Sequence, residues 1–110
     1  MFVKQVDGQD YSFRIHWDAA TSGPYYWIVV DVTPHSEYAG TPLGEKAITK
    51  IHSLLEKRAG FPNVPGPTYE DGGKTARFKI RTSRVPRDGK RARKASDWIK
   101  LLEKAIQTEL

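Results

Sequence analysis

The side chains with the most obvious chemical purpose in this chain are cations. Between Lys74 and Lys94, KTARFKIRTSRVPRDGKRARK, stand ten of the 18 Lys and Arg residues and a single acid, Asp88. These 21 residues sum to +9, so the other 89 carry −4 within a total of +5. A positive potential concentrated in this way draws phosphates or carboxylates whatever the fold, so it speaks about partners. Within the stretch, Arg84, Arg87, Arg91 and Arg93 stand with Lys90 and Lys94, and the planar guanidinium fork suits phosphate oxygens. The chemistry expected is recognition of negative charge.

Residues suited to catalysis are sparse. Three histidines, His16, His35 and His52, are too scattered for a metal-ligand spacing, and the absence of cysteine excludes thiolate sites and disulfides. His52 with Glu56 reads as an i,i+4 pair on a helix surface, and His16 as a polar position on a strand. His35 falls in a loop with Ser36 and Glu37, without the nucleophile and orienting group that a triad requires. Gly60, Gly66, Gly72 and Gly73 do not match a phosphate-cradling loop. Asp88-Gly89-Lys90 matches the end of one metal-nuclease signature but sits in an expected turn. The reading is therefore a non-enzymatic protein with no cofactor and no metal.

Positioning the cations falls to a strand and the loop after it. Ala76, Phe78, Ile80 and Thr82 alternate with Arg77, Lys79, Arg81 and Ser83, the period of two expected of a half-buried strand. One face of a strand repeats every ~7 Å, a useful pitch for a row of cations. A second alternation, Tyr11, Phe13, Ile15 and Trp17 against Ser12, Arg14, His16 and Asp18, offers Arg14 and His16 as neighbours if the strands share a face. Tyr25 and Trp27 are the aromatic residues expected to be exposed, and Trp27 is a candidate base-stacking residue. Phe13 and Tyr26 are assigned to the core.

The remaining elements follow in order. Phe2 to Val6 and Tyr11 to Trp17 form a hairpin about Asp7-Gly8, and Pro24 to Thr33 is a central strand apolar on both sides at its start. Thr41-Pro42 reads as the start of a helix with Leu43, Ala47, Ile48, Ile51, Leu54 and Leu55 along one side, stopped by Gly60 and Pro62. Thr68 to Glu70 is a short strand, turned by Asp71-Gly72-Gly73 onto the basic strand. Ser96 caps a last helix whose apolar stripe is Trp98, Ile99, Leu102, Ala105 and Ile106. The expected fold is α+β, a mainly antiparallel sheet of about five strands with two helices on one face, in the order βββ-α-ββ-α.

At 110 residues the chain is expected to form a single domain, 1–110. Its start lacks the apolar core of a signal peptide and its longest apolar run, Tyr25 to Val30, is too short for a bilayer, so a cytoplasmic protein without a membrane partner is expected. The run from Pro67-Thr68-Tyr69-Glu70 through Phe78 to Gly89-Lys90-Arg91-Ala92-Arg93-Lys94-Ala95 resembles the second half of a double-stranded-RNA-binding domain, whose last helix opens with a basic cluster after a glycine. That family places three strands before the helix, and this chain has room for two, so the resemblance assigns neither fold nor function.

Two functions follow from the charge. The first is contact with nucleic-acid phosphates, DNA or RNA, through Arg77, Lys79, Arg81, Arg84, Arg87, Lys90, Arg91, Arg93 and Lys94, with Arg14 and Trp27 beside them. The second is a small inhibitor or adaptor, of the kind phages and mobile elements carry, that docks on an acidic surface of a larger enzyme or nucleoprotein complex. Open sheet edges also allow a homodimer.

Overall fold

In the computed structural model, which describes residues 1–19, 25–35, 44–59, 64–83 and 95–110, the most apolar stretch becomes the middle of a sheet. The strands are β1 (Phe2–Val6), β2 (Gln9–Ala19), β3 (Tyr25–Pro34), β4 (Thr68–Glu70) and β5 (Thr75–Ser83), with helices α1 (Glu45–Ala59) and α2 (Ala95–Glu109). Every neighbouring pair is antiparallel and the spatial order is β1-β2-β3-β5-β4. The α+β architecture expected from the sequence is the one observed.

Two turns set the register at the sheet's ends. Asp7 and Gly8 both take positive φ, 51° and 82°, as a two-residue turn matched to the strands' right-handed twist demands. Asp71, Gly72 and Gly73 all lie at positive φ as well and form a tight left-handed turn, the Lys74 N–H donating to the Asp71 carbonyl at 3.3 Å, that reverses the chain from β4 into β5. Phe2 consequently stacks on Phe13, ring centroids 5.3 Å apart, and β1 turns Phe2, Lys4 and Val6 toward the helices.

One face of the sheet is closed by both helices. Tyr11, Phe13, Tyr26, Ile28, Val30, Val32, Ala76, Phe78 and Ile80 are buried against Ile48, Ile51 and Leu55 of α1 and Leu102 and Ile106 of α2. At ~25 cal/mol per Å² of apolar surface, burial of such side chains is the main force holding helices to sheet. Trp98 and Ile99 are only partly buried, so the apolar stripe of α2 is fully covered from Leu102 onward.

The helix starts differ from the sequence expectation. α1 begins at Glu45, and the Gly44 carbonyl accepts the Ile48 N–H at 2.9 Å; Thr41, Pro42 and Leu43 lie outside the described residues. A Cβ on Gly44 would stand 2.9 Å from the Tyr11 hydroxyl, so this entry point favours glycine over a capping hydroxyl. α2 begins at Ala95, which places Ser96 inside the first turn rather than at the cap, with Asp97 near the positive end of the helix dipole. Among the described residues no helix is long and apolar enough to cross a membrane.

Candidate binding face of the sheet

The face opposite the helices is built by strand alternation. Because β2, β3 and β5 are consecutive, their outward residues line up across the sheet in rows: Arg14, Asp31 and Arg77; His16, Val29 and Lys79; Asp18, Trp27 and Arg81. A further row of hydroxyls, Ser12, Thr33 and Thr75, continues beside the first, with Thr33 and Thr75 hydrogen-bonded at 3.0 Å. The expectation that Arg14 and the basic strand share a face holds, with β3 between them.

Asp31 organises the face. It is only 8% exposed, and Arg77 donates to both of its carboxylate oxygens, from Nε at 2.8 Å and Nη2 at 3.3 Å. His16 Nε2 lies 3.3 Å from Oδ2, and Glu70 approaches the same guanidinium at 3.9 Å. The hydrogen bond that Arg77 donates to Asp31, followed by the charge of that carboxylate, raises the pKa of Arg77 above its ordinary value. A carboxylate held by a two-pronged guanidinium is a stronger arrangement than an exposed ion pair, and it occupies the cation. Asp31 was legible only as the polar end of an apolar strand, with no sign that it would meet Arg77.

The second row is cationic at the surface through Lys79, while the third carries the exposed Asp18 together with Arg81. Lys79 and Arg81 are exposed, as is Arg14, while Trp27 is half-buried. The Lys79 ammonium sits 4.9 Å from the centroid of the Trp27 ring, within cation–π range. Val29, though on the outer face, is buried at 1% exposure. Taken together, Arg14, Arg77, Lys79 and Arg81 face Asp18, Asp31 and Glu70, so the described part of this face is close to charge balance. Arg84, Arg87, Lys90, Arg91, Arg93 and Lys94 lie outside the described residues, on the segment 84–94 between β5 and α2. That segment sums to +5, equal to the net charge of the whole chain, and everything else sums to zero.

An open cleft of ≈ 240 Å³ lies over the first row, lined by Arg14, Asp31 and Arg77, the hydroxyls of Ser12, Thr33 and Thr75, and Met1, Glu70 and Asp71. Its cations and anions are intermixed, which suits polar side chains better than a run of phosphates. Beside it, Ser12 Oγ and His35 Nδ1 stand 2.9 Å apart, a pair the sequence reading missed because the residues are 23 positions apart. Among the described residues no carboxylate contact to His35 is seen that would orient its ring as a base.

His52 is more than a surface residue. Besides Glu56 at 3.2 Å it lies 2.6 Å from the Val64 carbonyl, to which Nε2 donates, and its ring stacks on Phe78. It ties the chain after α1 to the helix and the core, a structural task. Among the described residues no group of three His, Cys, Asp or Glu side chains assembles a metal-binding set. Comparison with protein-family models, with curated proteins and with solved structures yields no match.

Proposed function

We propose that this chain is a small binding domain, without a catalytic role, that contacts nucleic-acid phosphates through the segment 84–94 and the adjoining exposed cations Lys79 and Arg81. The observation that carries the reading is the placement of charge: the net +5 resides in eleven consecutive residues, and the remainder of the chain is neutral. In the chain those residues follow Ser83, the last residue of β5, three positions after the exposed Arg81, and precede the start of α2. Phosphate contacts of this kind position a backbone without reading bases, so binding is expected to be indifferent to sequence. A cysteine-free chain suits the reducing cytoplasm.

The test is affinity for mixed single- and double-stranded oligonucleotides at several salt concentrations. Engagement of about five phosphates gives a log-log slope of roughly −3.5 on single strands and −4.5 on duplex. Replacing Lys90, Arg91 and Arg93 by Ala is expected to flatten that slope. No binding at low salt, or a slope that ignores the substitutions, sinks the reading.

The pairing of Arg77 with Asp31 favours a second reading, docking on an acidic protein surface, because it breaks the continuous cationic row that a polynucleotide would follow. Copurification after nuclease treatment separates the two. A single stoichiometric protein supports docking, and complete loss of partners supports nucleic acid.

A further inference from the structure

The sheet order puts β5 beside an edge strand far shorter than itself. β4 pairs only with Thr75, Ala76 and Arg77, whereas β3 pairs with β5 as far as Ser83. From Phe78 to Ser83, then, no described strand lies on the other side of β5. Alternate residues of such a run turn their N–H and C=O groups outward, a ready template for another extended chain. Phe78 and Ile80 are buried on the helix side of this edge, and Lys79 and Arg81 are exposed on the other.

From this edge we infer that β5 accepts an extended acidic segment of a partner protein, which adds as a further strand with its carboxylates alternating beside Lys79 and Arg81. Charge decides the occupant. A second copy of this chain, paired antiparallel in register about Ile80, would set Lys79 opposite the second copy's Arg81, and Arg81 opposite its Lys79. Like charges directly opposed across strands are destabilising, and carboxylates in the same places are attractive. Main-chain hydrogen bonds would supply affinity, and the acidic alternation would supply selectivity. This inference goes beyond phosphate contact by the segment 84–94 and does not rest on it.

Amide hydrogen exchange and NMR shifts of the full chain test it, with a short peptide alternating Glu and Val as the probe and its Lys-Val counterpart as the control. The acidic peptide is expected to shift the amides from 78 to 83 and to slow the alternate ones that face away from β3, the basic one to leave them unchanged. Lys79→Glu should weaken the acidic peptide by about fivefold, since one attraction becomes a repulsion, and Lys79→Thr should fall between. Equal response to both peptides overturns the inference. So do outward-facing amides between 78 and 83, those not bonded to β3, that are already slow in the free monomer, or a dimer of the unaltered chain joined through them. An oligonucleotide that shifts those amides where the acidic peptide does not also overturns it, and assigns the edge to phosphates.

Discussion

Asp31 and Arg77 show how one residue changes what a row of charges can do. The strand β5 presents Arg77, Lys79 and Arg81 on one side, as the alternation predicts, yet the carboxylate one strand away neutralises the first of them. Substituting Asp31→Asn removes that charge while keeping the shape. If phosphate contact is the function, Arg77 becomes available and the salt dependence of oligonucleotide binding should steepen by about 0.7 to 0.9, the increment for one more phosphate. Urea unfolding of the same variant should show a loss of about 1.5–3 kcal/mol, the usual net value of a hydrogen bond to a charged group. An unchanged salt slope would mean that Arg77 takes no phosphate even when released. At Gly44 the constraint is steric: a methyl group there meets the hydroxyl of the buried Tyr11. Gly44→Ala is therefore expected to cost about 1–3 kcal/mol, and adding Tyr11→Phe should recover part of it. Equal stability of Gly44→Ala and the parent would refute the contact.

Among the elements, α2 depends on its neighbours more than α1 does. α1 has Glu45 in its first turn and Lys57 and Arg58 in its last, so its own residues complement its dipole. α2 carries Asp97 at its start but no basic residue in its last turn, and ends on Glu109, an acid at the negative pole. The deficit is met from outside: Lys4 of β1 donates to the Gln107 carbonyl at 3.0 Å, and Arg58 of α1 pairs with Glu109. The hydrogen bond from Arg58, with the charges of Arg58 and Lys57 adding to it, holds the Glu109 carboxyl below its ordinary value, against an opposing effect of burial. A carboxyl depressed in the folded state contributes stability above its unfolded pKa, and loses it as the pH falls through the folded value. An NMR titration should find Glu109 protonating at lower pH than an ordinary glutamate, and Arg58→Ala should return it toward normal. Identical titrations in the two proteins would show that the pair does not persist in solution.

For the molecule as a whole, the division of labour is between a sheet face closed by helices, a sheet face near charge balance, and one strongly cationic segment of the chain, 84–94, that joins β5 to α2 in sequence. The period of two in β2, β3 and β5 and the helical stripe from Ala47 to Leu55 were plain in the chain, because burial of one side imposes that spacing on any sequence that folds this way. Asp7-Gly8 was equally plain, since few residue pairs accept two positive φ angles. Helix starts were less so. Thr41-Pro42 and Ser96 are good capping signals, but packing against Tyr11 and the sheet decides where α1 begins, and α2 opens two residues earlier than its serine suggests. What the amino acids determined by themselves were the local conformations and the amount of charge, both properties of near neighbours in the chain. Only the folded sheet decided which charges meet. Asp31 and Arg77 lie 46 positions apart, and Ser12 and His35 lie 23, and only strand order and register bring such distant residues within bonding distance.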